Sequence, residues 1–203
     1  MRRGGGVCVG KVVPFVLVMA LAVAACGGGD GADAGEAIEG FGDAPNDGLG
    51  LSALNQAAHR DPEDARSAAL DAVDSDDPEV RFAAAYALSL TGIAAGDAEV
   101  LRGLLADDDV RIRLLAAQTL AGAGFGDGVP VLISLLASDE PLRDGLRVWE
   151  VARRTLLDVT GQDLGLVAAT GVEAASAAIP DWEQWWDSAA ETFTPEPRSR
   201  VFG

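Results

Sequence analysis

The chain has 203 residues, with 32 acidic and 15 basic side chains and a formal net charge of −17. So acidic a chain is a poor match for nucleic acid, whose binding needs phosphates neutralised by lysine and arginine, and for anionic lipid headgroups. A single histidine leaves little for His-based catalysis or a His-rich metal site, while an apolar content of 49% is ordinary for one globular domain with appendages.

Residues 1–25 differ from the rest. Arg2, Arg3 and Lys11 precede an apolar run over 12–25, and no acid occurs before Asp30. The run is shorter than the roughly 20 residues of a bilayer span and suits the apolar region of a signal peptide. It ends in Val23-Ala24-Ala25-Cys26, which resembles the lipobox of bacterial lipoproteins. That resemblance implies diacylglyceryl attachment to the Cys26 sulfur, cleavage before Cys26 and acylation of its new amino group. It also implies a membrane-anchored protein on the extracytoplasmic side of the cell envelope. Two or more acyl chains anchor stably where one is marginal. An ordinary secretory peptide with Cys26 incidental is the alternative. Cys8 would leave with the signal, so the mature chain would hold one cysteine and no internal disulfide.

Residues 26–50 follow as an expected tether. From 27 to 50 there are nine glycines, six acids and no base, a composition that favours a flexible, self-repelling linker with a reach of about 25–30 Å. A binding motif around Phe41 is the alternative reading.

The body of the chain, 51–160, repeats itself. Val80, Arg81, Ala84, Ala85, Leu88 and Gly92 stand 32 residues before Ile112, Arg113, Ala116, Ala117, Leu120 and Gly124. The apolar positions recur every four residues, the signature of one helix face. The acids before each segment, Asp76-Asp77 and Asp107-Asp108-Asp109, suit helix N-caps, and Gly92 and Gly124 suit C-caps. Shorter helices are expected at 62–73, 97–106 and 129–137. A third long one is expected at 142–159, where Val148, Ala152 and Leu156 match Ile112, Ala116 and Leu120 at an offset of 36. Residues 51–58 read as the second helix of a degenerate earlier unit.

At these residues the chain resembles HEAT-like repeats of the phycobilisome-lyase type, closely over 76–92 and partially over 129–160. The resemblance implies an all-α fold, a short α-solenoid of helical hairpins preceded by the signal peptide and linker. It also implies a structural ladder formed by Arg81 and Arg113 with the acids of the repeat turns. Stacked hairpins share one continuous core that a single Ala-rich pair could not bury.

Residues 161–194 hold an Ala/Gly-rich insert, in which 172–178 reads as a short helix, and a Trp-rich terminal helix. Trp182, Trp185, Trp186, Ala189 and Phe193 share a face, and Asp181 with Gln184 suits a capping box after Pro180. The face reads as a cap on the open end of the solenoid, with an aromatic platform for a peptide, glycan or ring ligand as the alternative. The ending Thr160-Gly161-Gln162-Asp163, then Trp182, Trp185 and Trp186, also resembles the close of some bacterial HEAT-repeat proteins. Residues 195–203 read as a frayed tail.

No catalytic residues emerge. His59 stands alone, the serines lack a nucleophile-elbow setting, and Gly122–Gly128 lacks the lysine of a P-loop. The acidic turns depart from a calcium loop, with Glu79 where glycine belongs and Arg111 where a ligand belongs, so neither a metal nor a cofactor is expected. Arg111, Arg147, Arg153 and Arg154, with Tyr86, Gln118 and Trp149, fall on the second helices, which line the concave face in such folds. Arginine and aromatic residues are the types enriched at protein interfaces. These seven are therefore the candidate partner-binding set. The expected function is non-enzymatic binding of a protein or peptide at the cell envelope. A permanent subunit of an envelope complex and a bilin-lyase-like cofactor-handling protein are the alternatives.

Overall fold

The computed structural model describes residues 33–43, 49–93, 96–142 and 145–194. The segment expected to be a signal peptide, Cys26 and the residues from 195 lie outside them. Among the described residues ten α-helices follow one another: α1 (Ala34–Asp43), α2 (Leu49–Arg60), α3 (Pro62–Ala72), α4 (Pro78–Thr91), α5 (Asp97–Leu104), α6 (Val110–Gly122), α7 (Gly128–Leu135), α8 (Val148–Thr160), α9 (Val172–Ala177) and α10 (Ile179–Ala189). Among the described residues the one extended pairing is an isolated bridge, Pro141 to Arg147. An all-α solenoid of helical hairpins is what the repeat spacing predicts.

The helix starts are chemically explicit. Asp61, Asp77 and Asp109 each accept a hydrogen bond from the backbone N–H two or three residues on, at 3.0, 2.9 and 2.8 Å. Pro62 and Pro78 sit in the first turn, where their missing N–H costs nothing. The acidic turns are thus caps, as their positions predict. At the end of α8, Gly161 is left-handed (φ 67°) and its N–H returns to the Leu157 carbonyl at 3.1 Å, a conformation that favours glycine.

Several helix ends shift by one or two residues, and two starts differ for a reason visible in their contacts. The third long helix starts at Val148 instead of 142, because the chain on either side of the bridge pairs back on itself: the Glu140 and Ser138 carbonyls accept the N–H groups of Val148 and Trp149 at 3.0 Å. Nor does Asp181 cap α10. The helix begins two residues earlier, at Ile179, with Pro180 in its first turn and no side-chain cap. Ala178 ends α9 and starts α10, its N–H bonded to Ala175 and its carbonyl to Trp182.

The larger correction concerns the tether. Residues 34–43 are helical, and Ala34, Ala37, Ile38 and Phe41 are buried. Phe41 stacks on Phe82 of α4 with ring centroids 5.9 Å apart. The solenoid therefore starts at Ala34, seventeen residues before the expected boundary at 51, and α1 with α2 forms a hairpin ahead of α3 and α4.

Among the described residues two large apolar cores result, beside a small cluster of Ala34, Ala57, Ala58 and Ala65. One joins α1 to α6 through Phe41, Leu54, Tyr86, Leu88, Leu101, Ile112 and Leu120. The other joins α6 to α10 through Val129, Leu132, Leu136, Trp149, Leu156, Leu166 and Trp182. Helix α6 belongs to both, with Ile112 and Ala116 facing one side and Leu114 and Ala117 the other. Alanines at 83–85 and at 116–117 are fully buried, and their small side chains let the stacked helices approach.

Candidate functional site

The structure redistributes the seven candidate residues. Tyr86 and Trp149 leave the surface, at 2% and 7% exposure. Tyr86 is covered because α1 and α2 pack on α4, and its hydroxyl accepts a 2.7 Å hydrogen bond from Asn55 Nδ2. Burial pushes the Tyr86 phenol up, partly offset by that bond.

The arginines are largely engaged within the chain. Arg111 is bound by Asp109 at 2.5 Å and by Glu79, 32 residues earlier, at 2.8 Å, with its guanidinium 5.4 Å above the Phe82 ring. The Asp109 hydrogen bond, more than any other contact, holds the Arg111 guanidinium far above its usual value, against the opposing effect of burial. Arg153 donates to the Leu166 and Val167 carbonyls at 2.5 and 3.1 Å and so pins the insert against α8. Arg147 donates to the Asp139 carbonyl at 2.9 Å, and its own N–H is taken by Glu150. The Gln118 amide donates to Thr155 of α8 at 2.8 Å. Only Arg154, exposed and without an acid partner among the described residues, keeps the freedom expected of a contact residue.

What the arginines build instead is a pair of ladders. In the first, Arg81 of α4 bonds Asp107 of the next turn through Nε and Nη2 at 2.8 and 3.0 Å, while Nη1 donates to the Ser75 and Asp76 carbonyls. Arg113 repeats the carbonyl half of this pattern on Asp107 and Asp108. The second ladder runs along the first helices and is not part of the sequence-derived set. Arg66 meets Asp97 at 2.7 Å, and Arg102, 36 residues after Arg66, meets Asp127 at 3.1 Å. The recurrence of arginine at that offset was the available signal.

Asp107 shows what the ladder does energetically. Burial pushes its carboxyl up, but the Arg81 guanidinium and the Asp109 N–H outweigh burial and hold it below the ordinary value; Asp109 is lowered in the same way by Arg111. Both carboxylates thus stabilise the fold above their unfolded pKa of about 4, and that contribution disappears as the pH falls through their lower folded values. Arg81→Ala should cost about 2–3 kcal/mol, since it strands a nearly buried carboxylate. Asp107→Asn should be less stable than wild type at pH 7, with the gap narrowing by pH 3. Urea titrations at the two pH values test this, and an equal gap at both would remove Asp107 from the pH response.

An open groove of about 620 Å³ crosses the turn ends near Pro78, Arg81, Asp109, Arg111 and Glu140. Its two arginines are both ion-paired. Among the described residues no three His, Cys, Asp or Glu side chains gather to hold a metal, and no helix is long and apolar enough to cross a membrane.

The terminal helix is built differently. Trp182 is fully buried and contacts Trp185 edge-on at 5.5 Å; Trp185 meets Trp186 at 5.9 Å, and Trp186 meets Phe193 edge-on at 5.3 Å. Trp185, Trp186 and Phe193 are only partly buried. Gly126 lets the Trp186 ring lie on the α6–α7 turn, where an added Cβ would stand 3.0 Å from the ring. Trp182 thus anchors a cap, and the other rings extend outward from it.

Fold and contacts together define a helical-repeat scaffold whose hairpins are tied by arginine–aspartate pairs. Residues 36–121 match the family model of HEAT repeats, a span that begins inside α1 and closes near the end of α6. No curated protein matches the chain, and no solved structure does.

Proposed function

We propose that the protein is a lipid-anchored scaffold that binds a protein or peptide at the cell envelope without catalysing a reaction. The observation that carries the binding half is the HEAT-repeat array itself, with its hairpins locked in register by Arg81–Asp107, Arg111–Glu79, Arg66–Asp97 and Arg102–Asp127. A rigid, extended surface of this kind loses little entropy on binding. The anchoring half is supported by Val23-Ala24-Ala25-Cys26 behind a basic, apolar leader.

Two measurements test the two halves separately. Cells fed labelled palmitate should label the wild-type chain and not Cys26→Ala; equal label on both would refute the anchor. Affinity capture from membranes should yield partners with the full chain that are missing with a chain ending at residue 32. An identical set from both would refute the scaffold.

A further inference from the structure

Helix α10 and the residues after it carry three aromatic side chains that are only partly covered, Trp185, Trp186 and Phe193. Trp182 is fully buried, while Trp185, Trp186 and Phe193 pack against the same core and keep part of their surface in solvent. Four acids flank them on the same segment: Asp181, Glu183, Asp187 and Glu191, all exposed and none paired with a base among the described residues. Helical spacing places Asp181 one turn before Trp185 and Glu183 three residues before Trp186, so each carboxylate neighbours a ring. The rings are held in place by one another and by the close approach to Gly126.

A π face beside a carboxylate is an environment for a cation. The ring quadrupole and the carboxylate charge attract it together, and both disfavour an anion. The surroundings add to that bias, since no basic residue occurs between Arg154 and Arg198. Of the two basic side chains, arginine fits better, because its planar fork can stack on indole and still donate two hydrogen bonds to a carboxylate.

We infer that the outer face of α10 docks an arginine-bearing segment of a partner protein, with guanidinium groups lying over Trp185 and Trp186 and bonding to Asp181 and Glu183. The inference rests on the scaffold reading and specifies its partner as basic. It also moves the binding surface from the second-helix arginines to the terminal helix.

Calorimetric titration of the full chain with an (Arg-Gly)4 peptide tests it. The citrulline counterpart serves as control, since it keeps the shape and loses the charge. Saturable one-to-one binding is expected, at least tenfold weaker for the citrulline peptide. Trp185→Ala/Trp186→Ala and, separately, Asp181→Asn/Glu183→Gln should each weaken it at least tenfold. The distant exposed pair Asp71→Asn/Asp74→Asn should leave it unchanged. If the tryptophan variant melts early, the carboxylate pair decides, because both of its residues are exposed. Equal loss from the distant pair would reduce the effect to diffuse attraction by an acidic chain and overturn the assignment. Saturation only after removal of 195–203 would make the chain's own Arg198 and Arg200 the occupants and overturn it too. Self-association of the chain that buries these tryptophans and blocks the peptide would do the same. Partners captured from membranes that bind without any arginine dependence would leave the scaffold standing and this surface refuted.

Discussion

Gly128→Ala is expected to destabilise the fold by about 3 kcal/mol. A Cβ built at Gly128 would lie 2.2 Å from the Ala117 carbonyl oxygen, 3.0 Å from its carbon and 3.1 Å from the Ala121 nitrogen. All three are backbone atoms of α6, so no side chain can rotate away. Helices α6 and α7 would have to separate, opening the contact of Val129 and Leu132 with Ala117 and Ala121. Helix propensity argues the opposite way, since alanine is favoured over glycine by up to about 1 kcal/mol. The sign of the change in a urea titration therefore separates the two effects. A neutral or stabilised variant would mean that the helices are not in backbone contact at this point.

Phe41→Ala should cost about 3–5 kcal/mol, the range for emptying a buried aromatic site. The ring is 1% exposed, stacks on Phe82, and lies so close to Gly50 that a Cβ there would come within 2.6 Å of it. Its loss would open the first core at the α1–α4 contact. If residues 34–43 were a tether, the substitution would leave stability unchanged, and thermal or urea unfolding of the variant decides between the two.

The α1 segment also shows how the sequence can hide a helix. Ala34, Ala37, Ile38 and Phe41 recur at i, i+3, i+4 and i+7, the spacing of a helical face. Gly35, Gly40 and Gly42 lower intrinsic propensity enough to mask that pattern, and tertiary burial overrides them. The repeats from 62 to 124 were legible for the opposite reason: the same residue types return at one offset, and caps mark both helix ends. Most of the candidate site was not legible. Whether Tyr86 is covered depends on α2, whose Asn55 reaches it from 31 residues away. Whether Arg153 is free depends on an insert with no periodicity to place it, folded back through a left-handed Leu164 (φ 41°). Side-chain type identified the arginines, but their partners lie on other elements and follow from the stacking geometry.

Helix α6 has nine of its thirteen residues buried and contributes side chains to both apolar cores. Neither core can lose its order without uncovering a face of this helix, which then ceases to support the other. The array is therefore a single thermodynamic unit hinged on its middle, and fraying that starts at either end stops at a helix that can yield only when everything does. Amide hydrogens of α6 should accordingly be the last to exchange with solvent, at a rate set by global unfolding, so the two halves of the scaffold share one lifetime.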